Sequence, residues 1–260
     1  MTTTTKTVPV LVLRAAGINC DEEAVHAWRL AGAAPALVHI NRLAENPRLL
    51  ADYAVVCIPG GFSYGDDIAA GAVLAQRITH ELSDALRRHV DRGGGIVGIC
   101  NGFQALVKTG FLPGPKIGTG RVTVTYNDSA HFEARWVTMR VTTDRCAFLT
   151  PGATLEMPVE HGEGKVIVRD DATLNDLRSG GFVALRYVDA AGRSDQYPAN
   201  PNGSVDGIAG LCDDTGRVFG LMPHPDRHFD HTQHPLWTRR TAEGDPDGLR
   251  VFRSAVAYWR

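Results

Sequence analysis

The strongest constraint on this chain is the rhythm of its first hundred residues. Val8 to Leu13, Ala36 to Ile40, Ala54 to Ile58 and Ile96 to Ile99 are short runs without polar alternation, separated by segments of helical period. A strand that is apolar on both faces must be covered on both sides, and the intervening helices supply the cover. The pattern therefore predicts a doubly wound α/β fold with a mostly parallel sheet. Asp21 opens the first helix, with Ala24, Val25, Trp28, Leu30 and Ala31 on one stripe and Gly32 as its stop. A second helical stretch covers Ile68 to Arg92, with Gly71 and Arg77 to Thr79 as interruptions, and a short one runs from Asn101 to Lys108.

Beyond Gly110 the pattern changes. Arg121 to Tyr126, Arg135 to Val141, Lys165 to Val168 and Val183 to Val188 alternate as half-buried strands do, and they predict antiparallel extensions of the sheet. Val218 to Met222 is a last core strand, and Leu249 to Trp259 a closing helix. The turn-rich stretch from Tyr197 to Gly203 is too short for a linker, so residues 1–260 read as one domain. The hydrophobic fraction, 43%, is enough for a single sizeable core.

A net charge of -2 provides no basic excess for nucleic acid or an anionic membrane. No apolar run approaches the roughly 20 residues of a bilayer span. Met1 to Thr7 has neither the apolar core of a secretory signal nor the character of a transit peptide, so the expected location is the cytoplasm. The five cysteines form no C-x-x-C pair, which points away from a disulfide framework or a zinc ribbon.

Gly98-Ile99-Cys100-Asn101-Gly102 follows an apolar strand and opens a helix. This is the nucleophile-elbow arrangement with sulfur in place of a serine oxygen. Free N–H groups at the helix start favour a thiolate and place the Asn101 amide to donate to an oxyanion. Most free cysteines are small buried hydrophobes, which describes Cys57, Cys146 and Cys212 well. Cys20, without a second glycine or an evident base, is ranked as a loop or packing residue. A thiol nucleophile needs a base and an orienter. His224, fixed between Pro223 and Pro225, and Asp226, two positions on, fill these roles. Pro59 to Asp66, glycine-rich and at the end of another strand, offers further oxyanion donors at Gly60 and Gly61.

These segments, with Gly17 to Glu22, His161-Gly162-Glu163-Gly164 and Asn200 to Ser204, resemble the class I glutamine amidotransferases. Within them the chain is most similar to the family of glutaminase subunits of phosphoribosylformylglycinamidine synthase. The resemblance runs in order along nearly the whole sequence. It implies a flavodoxin-like fold in which Cys100 attacks the side-chain amide of glutamine and His224 acts as base and then acid. Gly60 or Gly61 with Asn101 would form the oxyanion hole, Gln104 would hold the α-substituents, and His161 and Gly162 would line the pocket. The family commonly has glutamate where this chain has Asp226. The resemblance further implies ammonia delivery, through a tunnel, to a synthetase subunit that carries ATP and magnesium, with a small accessory subunit as a further partner. No cofactor is expected on this chain, and neither a P-loop nor a dinucleotide fingerprint occurs in it.

Two other chemistries compete. His224, His228, His231 and His234, interleaved with Asp226 and Asp230, have spacing suited to metal ligands on a helix, which makes a metal-binding hydrolase the rival reading. Pro223, Pro225 and Pro235 break the helix that spacing requires. The other rival keeps the elbow but makes the chain a different cysteine hydrolase of related fold. Thr232 to Arg240 reads either as an interface arm or as a surface segment tied down by Trp237, and Leu86 to His89 as a solvated helix face.

Overall fold

Parallel strands are joined through helices, and the chain follows that rule until its middle. The first half comprises β1 (Val8–Arg14), α1 (Asp21–Leu30), β2 (Ala33–His39), α2 (Ile40–Glu45), β3 (Val55–Ile58), α3 (Ala72–Arg77), α4 (Ser83–Asp91), β4 (Gly95–Ile99) and α5 (Asn101–Lys108). The second half comprises β5 (Val122–Thr125), β6 (Glu133–Val141), β7 (Thr154–His161), β8 (Lys165–Val168), α6 (Asp171–Ser179), β9 (Val183–Tyr187), β10 (Ile208–Cys212), β11 (Val218–Leu221) and α7 (Asp247–Trp259). This computed structural model describes residues 7–241 and 243–260. The expectation for the N-terminal segment therefore lies, apart from Thr7, outside the described residues.

Nine strands form one sheet in the order β2-β1-β3-β4-β11-β10-β9-β6-β7. The first five are parallel, and from β11 onward every neighbour is antiparallel. The order 2-1-3-4 followed by the last parallel strand is the flavodoxin-like winding, with its reversal between β1 and β3. Right-handed crossovers on either side of that reversal place helices on opposite faces. On one face α1 meets α7, where Trp28 and Phe252 pack edge to face at 4.9 Å; on the other α3 packs against α5.

The parallel core agrees with the sequence reading to within three residues at each strand, and the interruptions within Ile68 to Arg92 appear as Gly71 ahead of α3 and a wide turn at Ile78–Leu82. Ile40 starts α2 instead of ending β2, because the His39 ring accepts from the Asn41 N–H and caps the helix. Two expectations are corrected. The strands at Arg121 to Tyr126 and Lys165 to Val168 do not extend the sheet; they pair with each other as the separate ribbon β5–β8. Leu86 and His89 are buried, and the His89 ring meets the Gly95 carbonyl at 3.2 Å, so only Arg87 and Arg88 form a solvated face. Among the described residues no helix is long and apolar enough to cross a membrane.

Candidate active site

Four loops leave the carboxyl ends of parallel strands at the same edge of the sheet. They follow β1, β3, β4 and β11, and they flank the reversal at which open α/β sheets bind ligands. Cys100 stands at the end of β4 with φ 48° and ψ -103°, a left-handed backbone that a residue with a Cβ adopts only under constraint. The constraint comes from its flanking glycines. A Cβ on Gly102 would lie 2.0 Å from the Ile58 carbonyl oxygen, and one on Gly98 would lie 2.6 Å from the Gly102 backbone. The two glycines let β3, β4 and α5 approach closely enough to force the bend at the cysteine between them. As first residue of α5, Asn101 has an N–H without a helical partner.

His224 is carried in from the end of β11 and anchored by its own N–H, which donates to the Pro158 carbonyl at 2.8 Å. Its Nδ1 meets Asp226 Oδ1 at 3.2 Å, and both side chains are buried. His224 Nε2 is buried without any hydrogen bond within the chain, and with Nδ1 committed to the acid it is the nitrogen presented to Cys100. Burial alone pushes this ring toward the neutral form. Negative charge on Cys100 and Asp226 outweighs burial and holds His224 well above the ordinary histidine value. The structure thus brings together Cys100, His224 and Asp226, which lie far apart in the sequence.

The thiol is only 5% exposed, yet it lines a cavity of about 170 Å³ with Gly61, Phe62, Gln104, His161, Gly162 and Glu163. Gly61 faces this space. Gly60 does not line it and sits behind the imidazole instead, where a Cβ would meet His224 Cε1 at 2.6 Å. Gln104 is held at both ends of its amide: Oε1 accepts from Asn101 Nδ2 and Nε2 donates to the Glu163 carbonyl. The Asn101 side chain also donates to Asp66 and accepts from the Ser63 N–H, tying α5 to the loop after β3.

His161 is fixed as a neutral ring by two amides. Asn127 Nδ2 donates to the His131 and His161 carbonyls, so its Oδ1 accepts from Gly164 N–H and from His161 Nδ1. Asn202 Oδ1 accepts from the N–H and hydroxyl of Ser204, leaving Nδ2 to donate to Tyr187 and to His161 Nε2. Burial, and to a lesser degree the nearby His224, lowers His161 to about 4. The ring therefore carries no proton for the reaction; its backbone neighbours shape the pocket.

Three features went unread in the sequence. The Glu160 carbonyl lies 3.6 Å from Cys100 Sγ, the Glu163 carboxylate accepts from the Ala70 N–H, and Phe132 with Tyr126 lines the pocket. Glu163 belongs to the His161-Gly162-Glu163-Gly164 segment and Tyr126 directly follows β5, but Phe132 comes from a loop without a local signal. The histidine cluster does not assemble. His228 Nδ1 donates to the Glu156 carbonyl, His231 Nε2 to that of Gly244, and His234 Nδ1 accepts from the Leu236 N–H. Short turns at Pro225–Arg227 and His231–Gln233 replace the helix, so the metal-hydrolase reading lacks its ligand set. A cavity of about 580 Å³ lies under this segment and is not lined by the thiol.

Comparison with known proteins places the chain. Residues 7–259 match the CobB/CobQ-like glutamine amidotransferase domain. Phosphoribosylformylglycinamidine synthase subunit PurQ of Dehalococcoides mccartyi is 44% identical over 97% of this chain and 98% of its own length. The subunit of the same name in Methanococcus maripaludis is 37% identical over 98% of both chains. The structure of PurLQS from Thermotoga maritima contains a chain that superposes with a TM-score of 0.74 at 32% identity, over 98% of this chain and all of that one. The elbow, the imidazole beside it and these full-length likenesses agree: the chain belongs to the CobB/CobQ-like glutamine amidotransferase family, among the PurQ subunits of phosphoribosylformylglycinamidine synthase.

Proposed function

We propose that Cys100, His224 and Asp226 hydrolyse glutamine to glutamate and ammonia, as the glutaminase half of phosphoribosylformylglycinamidine synthase in purine biosynthesis. The observation that carries this reading is the strained Cys100 elbow facing a buried His224 Nε2 that has no other partner. His224 takes the thiol proton, and the thiolate attacks the side-chain carbonyl carbon of glutamine. The oxyanion so formed is stabilised by the N–H groups of Asn101 and Gly61, and Gly60 shapes that loop from behind the imidazole. The imidazolium returns its proton to the leaving nitrogen, releasing ammonia and a γ-glutamyl thioester. Water then adds to the thioester with His224 again as base, and glutamate leaves as the thiol is restored. Asp226 holds the ring by Nδ1 throughout. Gln104, His161 and Gly162 form the wall that takes the amino-acid end of glutamine.

The reaction continues on a synthetase partner that binds ATP and magnesium, with a small accessory subunit in the assembly; the likeness to a chain of PurLQS supports a multi-subunit assembly with PurL and PurS. This chain binds no cofactor, nucleic acid or membrane for its step, and it works in the cytoplasm. The test is glutamate release by the full chain, alone and with its synthetase subunit. Cys100→Ala should abolish release, by about 10⁴-fold or more, while the complex still uses added ammonium salts. Glutamine hydrolysis that survives Cys100→Ala overturns the mechanism.

A further inference from the structure

Beside the imidazole the fold gathers a second sulfur that the glutaminase step does not use. Cys20 follows β1 and is 2% exposed. Its Sγ, a His224 ring nitrogen and an Asp226 carboxylate oxygen all lie within 4.8 Å of one another. Gly60 shows how they face each other. A Cβ built there would stand 3.4 Å from Cys20 Sγ and 3.4 Å from His224 Nδ1, so both atoms border the gap left by the missing side chain. Asp226 adds Oδ1 at 3.2 Å from Nδ1, and its Oδ2 is fully buried with no hydrogen-bond partner. A buried carboxylate oxygen left unpaired is costly, by about 1–3 kcal/mol or more, and a cation between these groups relieves that cost.

The donor set is thiolate, imidazole and carboxylate, the combination zinc accepts at bond lengths of about 2.0–2.3 Å. Tetrahedral ligands at those lengths stand roughly 3.3–3.6 Å apart. Nδ1 and Asp226 Oδ1, at 3.2 Å, stand close to that spacing. The sulfur, within 4.8 Å of its two partners, has at most about 1.5 Å to move inward. A thiolate and a carboxylate balance a dication, and the nearby Arg227 guanidinium, 3.4 Å from Sγ, is itself drawn to Glu160 and Glu23.

We propose that Cys20, His224 Nδ1 and Asp226 form a site for a zinc-like divalent cation whose occupancy silences the glutaminase. Binding releases the Cys20 thiol proton to solvent, and the imidazolium gives up its Nδ1 proton while keeping the one on Nε2. The Nε2–H that faces Cys100 then belongs to a neutral, metal-bound imidazole instead of an imidazolium, too weak an acid to protonate the leaving nitrogen. Chelation reverses both steps. The inhibitory consequence rests on the reading of His224 as base; the binding site does not.

Cobalt(II) tests the site directly, since a thiolate ligand gives it a near-ultraviolet charge-transfer band. Titrated into the full-length Cys100→Ala chain, cobalt should bind one equivalent and develop that band. Adding Cys20→Ala should remove it. In the wild-type complex with the synthetase, buffered zinc should inhibit glutamate release and chelator restore it. Cys20→Ala should raise the inhibitory zinc concentration by about tenfold or more, with metal-free activity within about twofold of wild type. The proposal is overturned by a cobalt band that disappears with Cys100→Ala but survives Cys20→Ala, by no saturable binding, or by equal zinc inhibition of wild type and Cys20→Ala. A metal-free wild type that fails to hydrolyse glutamine sinks the glutaminase reading instead, and the cobalt band still decides the site.

Discussion

The two halves of the sheet fix their parts of the site by different means. The parallel half, β2-β1-β3-β4-β11, holds the reacting atoms through backbone geometry. Cys100 has a left-handed φ, and the loop after β3 adds Tyr64, Asp66 and Ile68 in the same region. Glycines on β4 and α5 leave no room for anything larger. The antiparallel half contributes the wall from Glu160 to Glu163 at the end of β7, and it does so through side-chain amides from Asn127 and Asn202. Backbone constraint places an atom where a chain rarely goes. A hydrogen-bond network instead sets which protonation state a group adopts.

The largest consequence concerns the acid on the parallel side. Asp226→Asn keeps the size of the side chain but removes the charge that favours the imidazolium and the acceptor that fixes the ring tautomer. Glutamate release by the complex should fall by roughly 10³–10⁴-fold. A loss below tenfold shows that Asp226 does not orient His224 here.

Next in size is a paired alanine substitution that sets one half against the other. Gly102→Ala drives a methyl to 2.0 Å from the Ile58 carbonyl and should cost about 3 kcal/mol or more, read from denaturant unfolding. Gly162→Ala, in the wall, meets nothing within 4 Å and should change stability by less than about 1 kcal/mol. Equal costs at the two glycines contradict the division between strained backbone and hydrogen-bonded wall.

The network makes a prediction in pH. His161 titrates at about 4 in the folded chain against an ordinary value of 6.5. Between those values the unfolded chain binds a proton that the native chain refuses. Stability is therefore full above about 6.5 and declines as pH falls toward 4, by up to about 3 kcal/mol. His224 acts in the other window. Its raised value gives stability that is complete below about 6.5 and is lost as pH rises through the native value. His161→Gln should flatten the acid decline in urea midpoints measured from pH 7 to pH 4, and leave the alkaline side unchanged. An unchanged acid slope in that variant places the decline elsewhere.

These contrasts also explain what the sequence made legible. Strands of the parallel half are apolar on both faces, so Val55–Ile58 and Gly95–Ile99 announce themselves, and the elbow is a local motif. β7 was unreadable because Pro158 interrupts its pattern; the strand tolerates proline because it lies at the sheet edge. β10 was hidden by Gly210, where a Cβ would come within 2.7 Å of the Gly220 carbonyl. Cys20 looked like a packing residue since nothing near it in sequence marks its approach to His224; only the closure of β1 against β3 creates that neighbourhood. The wall residues Tyr126 and Phe132 likewise owe their place to loops whose paths depend on tertiary contacts.

The smallest expected effect distinguishes two tryptophans of equal composition and opposite circumstance. Trp28, on α1, has no exposed surface and packs against Phe252, and Trp28→Ala should cost about 3–5 kcal/mol. Trp237 lies in the segment that the sequence left open between an arm and a strap held by its own packing. It is 51% exposed beside Leu236 at 45%, and the segment is fastened instead by Arg240 and His234, which both reach Glu156. With so little of the indole packed on the core, Trp237→Ala should shift the unfolding free energy by no more than about 0.5–1 kcal/mol, measured in urea beside Trp28→Ala. A cost above about 2 kcal/mol means that the indole packs inward in solution and that the polar fastenings on Glu156 are not what holds the segment down.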